Sequence, residues 1–88
     1  MNNELLVNKD VSVVACYSNN ANQPNCFPRR MRYGGKIIEF SEIGLRHPTQ
    51  KGQRMVHVFD MTDGQADYRL EFDGASLRWK LIYVADKS

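Results

Sequence analysis

Residues 59–81 read FDMTDGQADYRLEFDGASLRWKL. Apolar side chains fall at every second position: Phe59 and Met61, then Tyr68, Leu70 and Phe72, then Leu77, Trp79 and Leu81. A period of two is the mark of a strand with one buried face. Asp63-Gly64 and Asp73-Gly74 interrupt the pattern with residues that favour tight turns. The segment therefore predicts two hairpins that share a central strand. A two-residue loop at each turn sets Phe59 opposite Tyr68, His57 opposite Leu70 and Met55 opposite Phe72 on one side. On the other side it sets Phe72 opposite Leu77, Leu70 opposite Trp79, Tyr68 opposite Leu81 and Glu71 opposite Arg78. The central strand then shows one apolar face to both neighbours, and a slip of one residue would turn that whole face to water.

A third hairpin is predicted at Tyr33-Gly34-Gly35-Lys36, where two glycines tolerate the positive φ angles of a type I′ turn. Its register places Met31 opposite Ile38, Arg30 opposite Glu39 and Arg29 opposite Phe40. Helix signals are weak: no window sustains apolar spacing at i, i+3, i+4 and i+7 with caps at both ends. The reading is an all-β domain of about six mostly antiparallel strands, near residues 11–17, 28–33, 36–43, 54–61, 66–73 and 77–84. Residues 44–53 and the polar stretch 18–26 read as loops, with a short helix within 41–47 as an alternative plug. Residues 1–88 form a single domain, with 1–9 expected to lie outside the fold. A sheet with one greasy face and no covering helix should curl into a small barrel or fold over as a sandwich.

Composition bounds the function classes. With 88 residues the chain can bury one thin core, hiding roughly 60–65% of its extended surface. Its 42% hydrophobic content is too high for a disordered chain. No apolar run is long enough for a helical membrane span. Glu4 precedes only the short run Leu5-Leu6-Val7, unlike a secretory leader, so the expected compartment is the cytoplasm. There the two cysteines, Cys16 and Cys26, stay reduced.

The residues Phe27-Pro28-Arg29-Arg30, Tyr33-Gly34-Gly35-Lys36, Tyr68-Arg69-Leu70 and Leu77-Arg78-Trp79-Lys80-Leu81 resemble those of short bacterial β proteins without an assigned activity. Some of that group are similar to small domains associated with bacterial repair polymerases. The resemblance implies an all-β fold in a bacterial protein and carries no functional residue.

Four constellations bear on function. Net charge is +2, but residues 28–57 hold seven Arg and Lys against Glu39 and Glu42. Within that basic middle, Arg29, Arg30, Arg32, Tyr33, Lys36, Arg46, Lys51 and Arg54 form a candidate surface for nucleic acid or a protein partner. Cations along a backbone with an aromatic beneath the bases are what single-stranded nucleic acid requires. Asp60, Asp63 and Asp67 surround one turn, and the predicted register opposes Asp60 to Asp67, yet the spacing is not that of a calcium loop. Cys16, Cys26, His47 and His57 lack the close ligand pairs of a zinc site. His57 alternates onto the core side, where a hydrogen-bonded core or rim histidine is the simplest account. No arrangement of nucleophile, base and oxyanion donors is visible. The expectation is a binding module without enzymatic activity, cofactor, metal or membrane association. It engages an unknown protein, or a second copy of itself, through a β edge or a sheet face. The alternative is a small nucleic-acid-binding β barrel using the basic segment 29–54.

Overall fold

A computed structural model describes residues 4–17 and 26–86. All the regular structure among them is β: β1 (Glu4–Tyr17), β2 (Cys26–Tyr33), β3 (Lys36–Glu39), β4 (Glu42–Lys51), β5 (Arg54–Thr62), β6 (Ala66–Asp73) and β7 (Arg78–Asp86). They form one antiparallel sheet in the order β3-β2-β1-β7-β6-β5-β4. The expected meander of hairpins is present as β4-β5-β6-β7. The long first strand joins it to the β2–β3 hairpin, pairing with β7 through Glu4 to Val11 and with β2 through Ser12 to Tyr17.

Three expectations are corrected. The described residues form seven strands, because the predicted strand over 36–43 breaks at Phe40-Ser41 and its second part continues through the predicted loop 44–53 as β4. Residues 41–47 hold no helix. Residues 4–9, expected outside the fold, form the start of β1. The predicted loop 18–26 lies outside the described residues except for Cys26, which opens β2.

The sheet is not a closed barrel: no ladder joins β3 to β4 among the described residues. It curls nonetheless. β3 and β4 stand at opposite ends of the strand order, yet only two residues separate them in the chain. The Phe40 amide donates to the carbonyl of Arg29 on β2 (2.9 Å), and the next amide, Ser41, donates to Thr62 on β5 (2.8 Å). This step carries the chain from one end of the sheet to the other and wraps the sheet around its apolar face.

That face holds Met31, Phe59, Met61, Ala66, Tyr68, Leu70, Trp79 and Leu81. Leu70 and Leu81 are wholly buried and directly opposed. Trp79 stacks at a tilt against Phe72 (centroids 4.8 Å apart) and Phe59 (5.4 Å), and Phe40 meets Tyr68 edge-on at 5.5 Å. β5 is buried on both sides. Val56 and Val58 lie on the opposite face from Phe59 and are each 3% exposed. Lys51, Arg54, Glu71 and Asp73 line the recess over Val56. The Lys51 and Arg54 side chains stay half-exposed or more and can cover apolar surface with their stems, while the Glu71 and Asp73 side chains beneath them are largely buried.

The Gly34-Gly35 hairpin has its predicted register, with both glycines at positive φ (59° and 76°). The two Asp-Gly hairpins keep their predicted faces next to the turns but slip by two residues, and past a bulge at Ile82 the β6–β7 slip becomes three, with Tyr68 opposite Val84. Phe59 opposes Leu70, Met61 opposes Tyr68 and His57 opposes Phe72. Phe72 opposes Trp79, Leu70 opposes Leu81 and Glu71 opposes Lys80. The aspartate side chains account for the slip. Asp63 Oδ1 accepts from the amides of Gln65 (2.8 Å) and Ala66 (2.9 Å). Asp73 Oδ1 accepts from Ala75 (2.9 Å) and, at 3.4 Å, from Ser76. Each carboxylate thus satisfies loop amides locally and widens a two-residue turn to four residues.

Bulges bend the strands. β1 carries one residue more than β7 between Leu6 and Lys9, where Asn8 sits at φ 54°; asparagine is among the few side chains that adopt this conformation readily. On β2 the extra residue is Arg29, which leaves Pro28 buried without demanding a ladder donor from it. On β4 it is Gly44, where a Cβ would meet the Asp60 carbonyl oxygen at 3.3 Å.

Candidate functional site

The candidate basic residues fall into two groups. Arg29, Arg30, Arg32, Tyr33 and Lys36 lie on the β2–β3 hairpin, whereas Arg46, Lys51 and Arg54 lie on the β4–β5 hairpin at the other end of the strand order. The groups differ in charge balance. Lys51 Nζ pairs with Glu71 at 2.9 Å, and Arg54 Nη1 pairs with Asp73 at 2.6 Å. Arg30 faces Glu39 at 3.8 Å, as its register predicts. Arg29 Nη1 donates to Cys16 Sγ at 3.9 Å. Arg32, Lys36 and Arg46 remain exposed and make no ion pair among the described residues. Tyr33, the aromatic a base would stack on, is half-buried and packed against the core. The basic middle of the sequence is therefore divided between two hairpins and partly neutralised.

The acidic turn is rebuilt by the register slip. Asp60 does not oppose Asp67. It opposes Arg69, whose Nε and Nη2 donate to its two oxygens at 2.8 and 3.1 Å, a bidentate clasp. The same guanidinium lies 5.2 Å from the centroid of the Tyr83 ring. Asp67 opposes Thr62. Asp63 accepts a third bond, from the Tyr68 hydroxyl (2.8 Å). Burial alone would raise the Asp63 pKa, but the bonds from Gln65, Ala66 and Tyr68 outweigh it and hold the carboxyl below its usual range. Burial, and then the Asp63 contact, push the Tyr68 hydroxyl far upward. Asp63 thus serves its turn, as its Asp-Gly sequence predicts, and Asp60 serves the ladder through Arg69, a pairing that the assumed two-residue loop hid.

The four candidate zinc ligands are also separated. Cys16 lies one residue before the end of β1 and Cys26 starts β2, whereas His47 and His57 lie on β4 and β5. Cys16 opposes Phe27, and Cys26 opposes Tyr17. Directly opposed residues share a face and successive residues alternate, so the two thiols point to opposite faces. We expect Cys16→Ser/Cys26→Ser to fold and to melt within a few degrees of the wild type, with no response of either protein to reductant. A reductant-sensitive wild-type melting curve would show that a disulfide contributes. His57 is half-buried beside Phe59, opposite Pro48 and Phe72 rather than Leu70. His47 Nδ1 lies 3.2 Å from Thr49 Oγ1.

The feature that the sequence reading missed is β4. Among the described residues it pairs only with β5, through nine of its ten residues, and it is exposed at all ten but His47 and Thr49. Ile43 and Leu45 are 40% and 54% exposed. The other edge, β3, has four residues. Gly44 and Pro48 made this stretch read as a loop. Both belong on an edge strand: glycine at a bulge and proline where a missing donor disrupts no central ladder. Comparison with protein-family models, with curated proteins and with solved structures gives no match, so the resemblance to short bacterial β proteins rests on the sequence motifs alone.

Proposed function

We propose that the protein is a binding module without enzymatic activity that receives a strand of a protein partner along β4. One observation carries this reading: a ten-residue strand with an edge that no other described strand pairs, and exposed apolar side chains at Ile43 and Leu45. Folded domains usually shorten, cover or close such an edge because its unpaired amides and carbonyls template another strand. An added strand gains main-chain hydrogen bonds from the edge, and its alternate side chains find neighbours on each face. The nucleic-acid alternative has less support, because Lys51 and Arg54 are spent on Glu71 and Asp73 and Tyr33 packs inward.

A photoreactive amino acid at Leu45, introduced in the native host, tests the proposal. The control position is Leu77, which is more exposed but sits in the β6–β7 turn. The expected result is a discrete protein adduct at Leu45 that is absent at Leu77. Nucleic-acid adducts, or equal labelling at both positions, would overturn it.

A further inference from the structure

We infer that the strand received by β4 is β4 of a second copy, paired antiparallel about a two-fold axis at His47. This rests on the edge-docking reading and names its partner.

The register follows from which side chains share a face. Arg46, Pro48 and Gln50 oppose Phe59, His57 and Met55, and so lie on the core side, whereas Leu45, His47, Thr49 and Lys51 lie on the outer side. Beyond the Gly44 bulge the assignment shifts by one: Ile43, opposite Met61, is on the core side and Glu42 is outside. A second copy can continue the sheet only if outer residues oppose outer residues. Centring the pair on His47 satisfies this. Leu45 then opposes Thr49 of the second copy, Arg46 opposes Pro48, which offers no amide so that each of these two pairs makes one ladder bond instead of two, and the bulge brings Ile43 opposite Gln50 and Glu42 opposite Lys51.

Charge selects this register over its neighbours. Centred on His47, the two strands place an opposite-charge pair, Glu42 with Lys51, at each end and oppose no like charges. Lys51, already 2.9 Å from Glu71, would sit between two carboxylates. Centring on Arg46 would set that guanidinium against its own copy, a destabilising contact. Centring on Pro48 would bring Lys51 opposite Leu45 and leave Glu42 beyond the pair. A parallel, in-register arrangement would oppose Glu42, Arg46 and Lys51 each to itself. The chosen register joins two curled sheets along about 33 Å of strand, ten residues at roughly 3.3 Å each.

The test combines sedimentation with cysteine cross-linking. Wild-type protein should dimerise reversibly with concentration. Glu42→Lys should raise the dimer dissociation constant roughly tenfold, and the charge exchange Glu42→Lys/Lys51→Glu should recover most of that loss. In a Cys16→Ser/Cys26→Ser background, His47→Cys should oxidise to a disulfide-linked dimer. Leu45→Cys alone should not cross-link, but a mixture of Leu45→Cys and Thr49→Cys chains should. A dimer that cross-links in another register, or a charge exchange that fails to rescue, would overturn the inference. So would a wild-type protein that stays monomeric up to about 1 mM. If the photoreactive group at Leu45 then captures a different protein, edge docking stands and only self-pairing falls. If it captures no protein, both fall.

Discussion

Leu70→Ala is expected to remove about 2–5 kcal/mol of stability, most of what a domain of this size possesses. Leu70 is fully buried and lies between Phe59 on β5 and Leu81 on β7. Deleting its isobutyl group leaves a hole at the centre of three strands whose backbones are fixed by their ladders, so the site cannot collapse to fill it. Chemical denaturation at neutral pH measures the loss. Leu77→Ala serves as control, since Leu77 is 72% exposed in a turn. Equal effects of the two substitutions would mean that the apolar face has been placed on the wrong side of the sheet.

Asp63→Ala is expected to cost about 1–3 kcal/mol at pH 7, more than a surface aspartate should. The carboxylate accepts from two loop amides and from the Tyr68 hydroxyl, whose ring belongs to the core. Its loss strips those donors together. The effect should depend on pH with a definite sign. Because the folded protein holds Asp63 below its ordinary value of 3.8, its contribution is complete above that value and is lost as pH falls through the lower, folded one. The difference between wild type and Asp63→Ala should therefore be flat from pH 7 to about 5 and narrow in more acidic solution. Asp63→Asn keeps a carbonyl acceptor for the loop amides and should cost less, with no such narrowing. A wild-type advantage that grows toward acid would contradict the assignment.

How much of the molecule the sequence reveals depends on what fixes each feature. Side-chain alternation around Phe59, Leu70 and Trp79 is dictated by burial, and it reads correctly through both Asp-Gly hairpins. The register does not, because Asp63 and Asp73 carry side chains that compete for loop amides, and the outcome shifts the pairings next to each turn by two residues, which leaves those faces intact, before a bulge at Ile82 adds one more between β6 and β7. Gly34-Gly35 has no competing side chain, and its hairpin matches residue for residue. The division of the basic residues was hidden for a related reason. Lys51 and Arg54 find Glu71 and Asp73 from about twenty positions away, through strand order rather than local spacing. β4 was hidden by Gly44 and Pro48, which punctuate an edge strand as readily as a loop.

The placement of β1 has a kinetic consequence. Strands β4 to β7, like β2 and β3, are joined by short turns and can zip locally, on the microsecond scale of isolated hairpins. β1 cannot: its pairing with β7 joins Glu4 to Ala85 and Val11 to Trp79. Closing that loop costs chain entropy before any contact repays it. The pairing that unites the two halves of the sheet is thus the least local one. It sets a high contact order and assigns the chain to the slower, millisecond-to-second range of small domains. Until β1 docks, β2 and β7 each present an uncovered edge, so a nascent chain spends its most aggregation-prone interval waiting for one strand to arrive.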